Sequence, residues 1–376
     1  MQCPMGGEVW CKLDVANDER GIIVIVLPLW LNGYRRCTKL PKSHPEMLAM
    51  CLEFSNTDTM KLPPNDHLHR IHRARGALLG LAVGDAVGTT VEFKPRGSFK
   101  PMTDMVGGGP FNLEPGQFTD DTSMALCLAA SLIEKDFDLH DQITRYTRWA
   151  NEGYMSSNGH CFDIGIATRG ALQRFQRSGN PLAGSTDPNS AGNGCIMRLA
   201  PVPIRYAEQP ELAVRLSGEQ AQTTHQAPEC LAASRLFGEI LVRAIQGQSK
   251  DHVLAPPVFT GKLPTKLDAI GQGRYKHKDR DAIRGTGYVV ESLEATLWCF
   301  AHTENFRDCI LMAANLGDDA DTTAAQAGQL AGAFYGESGI PAEWLSKLTM
   351  MEEIRDMADA LTAHSTKLST EVTTAN

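Results

Sequence analysis

A chain of 376 residues, 42% hydrophobic and 21% charged, has the composition of a soluble globular protein with room for one large domain and a small module, which excludes disorder throughout. Its net charge of −8 lacks the basic face that phosphate neutralisation requires, so a nucleic-acid partner is not expected. The ten cysteines form no CxxC pair, and those in apolar patterns such as "MALCLAA" and "ATLWCFA" read as buried free thiols of a reducing compartment.

From the N-terminus, β-branched residues dominate "RGIIVIVLPLWL" (20–31), Asn32-Gly33 offers a hairpin-type turn, and "YRRCTKL" (34–40) can return as a second strand. The run is too short to span a bilayer. The segment before it is net negative and no small-residue cleavage site follows, so a strand in a cytoplasmic protein, with no membrane partner, is expected rather than a targeting signal. Pro63-Pro64 in "KLPPND" punctuates the chain, giving an extension at 1–66, a main domain at 67–362 and a loose tail, "AHSTKLSTEVTTAN", at 363–376. Residues 1–70 hold eight basic and eight acidic groups, so the whole negative excess belongs to the rest.

Beyond the prolines the chain reads as helices. "HLHRIHR" (67–73) has the character of a solvated helix start. "RARGALLGLAVGDAVG" (73–88) places Gly76, Gly80, Gly84 and Gly88 four apart, leaving one face bare for close backbone approach; its arginines and Asp85 speak for a buried soluble helix over a membrane one. Apolar spacing of three to four recurs at 161–175, 227–245, 287–301 and 325–336, and no alternating pattern of comparable length competes. Between Lys262 and Arg284, seven basic groups stand against three acids, a solvated loop or a docking surface for an acidic partner.

Two helix starts are crowded with acid. "PGQFTDDTSMAL" (115–126) and "NLGDDADTTAAQAG" (315–328) each place aspartates and threonines before an alanine-rich helix. One cap per helix is enough, and acids near a helix N-terminus gain only about 0.3–1 kcal/mol each. Carboxylates about 4 Å apart repel by about 1 kcal/mol in water and about 4 kcal/mol at an effective dielectric near 20. If the two starts meet, the cluster therefore requires cations. Oxygen ligands without histidine or thiol point to Mg²⁺, Mn²⁺ or Ca²⁺ over zinc, and five carboxylates can hold two ions.

"VGDAVGTTVEF" (83–93), "PGQFTDDTSMAL", "GHCFDIG" (159–165), "SAGNGCIMR" (190–198), "TTHQAPEC" (223–230), "GYVVESLEATLW" (287–298) and "NLGDDADTTAA" come in the order and character of the ADP-ribosylglycohydrolase family, which this chain resembles over roughly residues 72–350. The resemblance implies an all-α fold with a binuclear Mg²⁺ or Mn²⁺ site, removing ADP-ribose from a modified protein side chain, arginine favoured. Carried over by position, Thr119, Asp120 and Asp121 look like one group of metal ligands, and Asp319, Asp321 and Thr322 like the other; Asp318 stands where the family usually has glycine. Glu92, Asp120 and Asp163 are the implied catalytic acids. The implied substrate contacts are His160, Gly165, the diphosphate loop residues Ser190, Gly192, Asn193 and Gly194, and His225 and Tyr288 around the adenosine.

The extension at 1–66 lies outside that resemblance. It is similar to extensions of immunity proteins that strip ADP-ribose and fill the active site of an ADP-ribosyltransferase toxin, so a cognate toxin is the expected partner beside the ADP-ribosylated substrate. A stabilising cap or dimer support is the other reading of the extension. A non-catalytic binder on the same fold, or a different two-metal hydrolase, is the other reading of the domain.

Overall fold

The described helices are α1 (Pro64–Gly88), α2 (Asp120–Lys135), α3 (Leu139–Glu152), α4 (Ile166–Ser178), α5 (Pro201–Arg205), α6 (Pro210–Ala221), α7 (Pro228–Ile245), α8 (Lys250–Val253), α9 (Thr265–Gly271), α10 (Val289–Ala301), α11 (Phe306–Ala314), α12 (Ala320–Tyr335), α13 (Ala342–Leu345) and α14 (Met351–Thr374), of which α1, α4, α7, α10 and α12 cover the segments where apolar periodicity predicts a helix and α2 follows the first acid-rich start. The computed structural model describes the backbone of residues 64–374 and of four two-residue strands before them, with side-chain surroundings from 67 to 363. The chain divides into two units, Met1–Pro64 and Asn65–Asn376. In the first, β1 (Ala16–Asn17) pairs antiparallel with β2 (Ile23–Val24), and β3 (Val26–Leu27) with β4 (Arg35–Arg36). The predicted return of "YRRCTKL" onto the β-branched run is made by those two arginines; Asn32 and Gly33 lie outside the described residues.

The second unit is all-α and is organised around one contact. The bare stripe of α1 lies against a matching small-residue stripe on α12, Gly76 facing Gly332, Gly80 facing Gly328, Gly84 facing Ala324 and Gly88 facing Ala320. Pairing in reverse order makes the two helices antiparallel, and a Cβ built at any of the four glycines would overlap a backbone carbonyl opposite. The same contact carries the functional residues: Gly88 ends against Asp321, and the following 3₁₀ turn Thr89–Val91 brings Glu92 to the N-terminus of α12. Buried from Ala320 to Ala333, α12 also packs on α2, α7, α10 and α11.

Buried amides on α12 fix neighbouring segments. The Gln329 amide accepts from Ala200 N–H (2.8 Å) and donates to the carbonyl of Ile196 (3.1 Å), holding the segment that follows the glycine loop. Gln326 donates to Ser292 Oγ of α10 (2.9 Å). Cys127, Cys195, Cys230, Cys299 and Cys309 are buried free thiols and Cys161 is half-buried, while Cys3, Cys11, Cys37 and Cys51 lie outside the described residues. No helix among the described residues is long and apolar enough to cross a membrane. α14 runs on to Thr374, through the segment from 363 expected as a tail, and no glycine or proline interrupts 351–374.

Candidate active site at two helix N-termini

Neither acid-rich helix start uses its own aspartates as caps. The N-terminus of α2 is capped from outside, by Asp85 of α1. The carboxylate of Asp85 accepts Thr119 N–H (2.9 Å), Thr122 N–H (3.1 Å) and the Thr122 hydroxyl (2.6 Å). Burial pushes the Asp85 carboxyl up to about 6, against the opposing pull of those hydrogen bonds. With the cap supplied by Asp85, Asp120 and Asp121 are free for another role. Asp85 was not read as a site residue from sequence; the signal was a lone acid in an otherwise apolar, glycine-striped helix.

The two starts meet. The Thr119 hydroxyl lies 3.0 Å from Asp85, 3.3 Å from Asp121 and 3.4 Å from Asp321, and the Thr322 hydroxyl reaches Asp121 at 3.5 Å. Glu92, Asp163 and Asp321 each offer an oxygen within 4.8 Å of the others. Oδ1 of Asp121, Oδ1 of Asp321 and Oε2 of Glu92 are buried without a hydrogen-bond donor among the described residues. A buried carboxylate oxygen without a donor is costly, and a cation satisfies it. Burial first, and neighbouring carboxylates second, push Asp120, Asp121 and Asp321 well above the carboxylate range, Asp163 to about 7 and Glu92 to about 10. Asp319 is also raised by burial, with the amide of Asn193 (2.6 Å) pulling the other way.

The glycine loop is shaped by His225. The imidazole packs directly beneath it, so that a Cβ at Gly194 would fall 2.7 Å from the ring. Burial lowers the His225 pKa to about 3, leaving a neutral ring whose Nδ1 meets the Thr224 hydroxyl at 2.8 Å. The loop is clipped to the segment before α10 by Asn193 N–H to Gly287 O (3.0 Å) and Val289 N–H to Ala191 O (3.0 Å). Behind it, the fully buried Arg198 guanidinium donates to Gly194 O (2.7 Å) and Thr224 Oγ1 (2.7 Å).

These parts line a two-chambered cleft. The inner chamber, about 960 Å³, is walled by Glu92, Asp120, Asp163, Gly165, Gly192, Asn193, Gly194, His225, Asp319, Asp321 and Thr322, with Phe93 and Phe111 at its edge. The outer chamber, about 910 Å³, is lined by Ser190 and Tyr288 and shares Ile166, Ala167, Gly192 and Gly287 with the inner one. The Tyr288 hydroxyl donates to Glu229 (2.6 Å) and accepts from Lys266 (3.0 Å), which fixes its ring as a wall. Thr119 and Asp121 lie fully buried beneath the inner chamber. His160 is not brought in: its side chain is exposed and it lines neither chamber. Asp318 has φ +57° and faces Arg284 at 3.6 Å; a left-handed backbone there explains why glycine suits the position. The histidines of "HLHRIHR" join no candidate metal cluster among the described residues.

An all-helical domain whose two helix starts place carboxylates under a glycine-lined cleft defines the class. Residues 66–370 match the family model for ADP-ribosylglycohydrolase. The chain is 46% identical over 310 residues to "ADP-ribosylarginine hydrolase Tri1" of Serratia proteamaculans, covering 82% of this chain and 83% of that one. It is 35% identical to "ADP-ribosyl-[dinitrogen reductase] glycohydrolase" of Rhodospirillum rubrum, over 77% of this chain and 96% of that one. A solved structure described as "ADP-ribosylglycohydrolase-related protein complex" superposes with a TM-score of 0.70 at 42% identity, over 79% of this chain and 99% of that chain. The chain belongs to the ADP-ribosylglycohydrolase family and is an ADP-ribosylhydrolase.

Proposed function

We propose that the protein hydrolyses the bond between ADP-ribose and an arginine side chain of a modified protein, using two divalent cations, Mg²⁺ or Mn²⁺, held by the acids of the two helix starts. The observation that carries this reading is the set of three buried carboxylate oxygens without a donor among the described residues, from Glu92, Asp121 and Asp321, where the helix starts converge. The name of the Serratia relative supports arginine as the linkage. Thr119, Asp120, Asp121, Asp319, Asp321 and Thr322 would hold the cations, which would supply Lewis acidity toward the ribose oxygens and an activated water.

The chain's own groups do the rest. Gly192 and Gly194 let backbone N–H groups approach a diphosphate, and Ser190 and Asn193 add polar contacts. Asn193 also steadies Asp319. Tyr288 offers a flat face in the outer chamber for the adenine, and neutral His225 shapes the loop from beneath. As water adds to the anomeric carbon and the C–N bond breaks, the leaving guanidine nitrogen needs a proton. Asp163 and Glu92, at the edge of the cluster, are the groups that hold and move it. The products are ADP-ribose and unmodified arginine. Mass spectrometry of the released nucleotide tests the reading: free ADP-ribose with the arginine regenerated supports it, whereas AMP or inorganic phosphate would point to a different two-metal hydrolase.

Metal-free stability carries its own signature. Asp85, Asp163 and Glu92 have folded pKa values near 6, 7 and 10, above the ordinary carboxylate range. Groups raised on folding contribute stability that is full below about 4 and is lost as pH rises through those folded values. In chelator, the melting temperature is therefore expected to fall between pH 5 and pH 8, and the rise produced by Mg²⁺ is expected to be larger at pH 8. Equal Mg²⁺ shifts at both pH values would contradict a carboxylate site.

Residues 1–66 we assign to capture of a cognate ADP-ribosyltransferase toxin, making the protein an immunity factor of a bacterial cytoplasm. A separate unit ending at Pro64, just before the family match begins at 66, supports this division of labour. Deleting 1–66 is expected to abolish stoichiometric inhibition of the toxin while leaving ADP-ribose release intact. Inhibition that survives the deletion in a protein also lacking its site aspartates would overturn it.

A further inference from the structure

The cleft must also receive the protein side chain that carries the ADP-ribose, and the position of that entrance follows from the two chambers. The outer chamber joins the inner one along Ile166, Ala167, Gly192 and Gly287. Phe93 and Phe111 line the inner chamber and not the outer one. With the nucleotide lying from the outer chamber over the glycine loop to the acids, the modified side chain leaves through a wall that does not border the outer chamber. Two phenylalanine rings form part of that wall.

Their setting is unusual. Phe93 follows Glu92 directly and Phe162 precedes Asp163 directly, so each acid at the mouth of the cluster has a ring attached to its flank. The Phe111 ring sits between them, 6.5 Å from Phe93 edge-on and 5.2 Å from Phe162. Phe93 is 65% exposed and has φ +62°, with its N–H fixed to Asp318 O at 2.8 Å. Asp163 is left-handed as well, at φ +58°. A bulky residue in that conformation is strained, and a largely exposed ring gains little in folding to offset it. The backbone turns twice, each time at the junction of a ring and an acid.

We propose that Phe93 and Phe111 form the arginine subsite, stacking on the guanidinium plane while Glu92 and Asp163 face its N–H groups, and that they set the preference for arginine over uncharged linkages. The proposal rests on the arginine reading given above. A guanidinium is planar, permanently charged and weakly hydrated, so it gains from an aromatic face beside carboxylates. An ester-linked or hydroxyl-linked ADP-ribose has no cation to offer that wall.

The test compares Phe93→Leu, Phe111→Ala and Phe111→Tyr with wild type, each confirmed folded by melting temperature. Three readouts are taken: kcat and KM for an ADP-ribosylated arginine peptide, Kd for free ADP-ribose, and hydrolysis of an ADP-ribose ester at C1″. Because Phe93 is exposed, Phe93→Leu keeps apolar bulk and removes only the π face. The expected result is a roughly threefold to thirtyfold loss of kcat/KM for the arginine peptide, carried mainly by KM, in Phe93→Leu and Phe111→Ala. Phe111→Tyr restores it, and ADP-ribose affinity and ester hydrolysis stay at wild-type level. Equal losses on all three readouts, or no loss with the arginine peptide, would overturn the subsite. Failure of the wild type itself to act on the arginine peptide would instead remove the reading on which the subsite rests.

Discussion

Asp321→Ala is expected to lower kcat for ADP-ribose release by at least about a thousandfold, since loss of an ion from such a site removes several kcal/mol of charge stabilisation. Asp321 is the residue on which both halves of the site converge: it lies at the N-terminus of α12, its Oδ2 is 3.4 Å from the Thr119 hydroxyl of the other helix start, and its Oδ1 has no donor among the described residues. The accompanying stability change has the opposite sign. Burial, Glu92 and Asp121 all push the Asp321 carboxyl upward, so its charged form opposes folding when no cation is bound. Asp321→Asn is therefore expected to be inactive yet to melt at or above wild type in chelator at pH 8. An inactive variant that also melts lower in chelator would mark Asp321 as a structural residue and not a ligand.

The second large effect is on folding. Gly84→Ala adds one methyl group at the point where α1 lies directly on the backbone of α12 at Ala324, and no flexible side chain is available there to give way. Overpacking of this kind costs about 1–3 kcal/mol where neighbours can shift, and a clash between two backbones belongs at or above the top of that range. A fall in melting temperature of roughly 5 °C or more is expected. Because Asp85 and Glu92 ride on the same helix, residual folded protein is expected to bind Mg²⁺ more weakly. A Gly97→Ala control meets nothing within 4 Å, so it carries only the local strain of a position at φ +79°.

The two acid-rich helix starts were legible because they repeat a pattern that capping alone does not require, and the glycine stripe was legible because its spacing of four has one geometric meaning on a helix. Asp85 was not legible as a site residue. Its partners, Thr119 and Thr122, are 34 and 37 residues away, and a single acid in an apolar helix gives no sign of what it caps. The phenylalanine wall was hidden for a related reason. Phe93, Phe111 and Phe162 lie outside helices and follow no periodicity, so only the folded chain brings their rings together. His160 shows the converse, since adjacency to a site motif in sequence did not bring its side chain to the cleft.

If the crowded helix starts form a metal site for breaking the ribose–nitrogen bond, turnover depends on the ion and on the aspartates that hold it. The most direct measurement follows ADP-ribose release from an arginine-ADP-ribosylated protein after chelation, then after return of Mg²⁺ or Mn²⁺, in wild type and Asp319→Ala. Release is expected to disappear on chelation, to return with either ion in wild type, and not to return in the variant. Release that persists in chelator, or that Asp319→Ala retains, would contradict it.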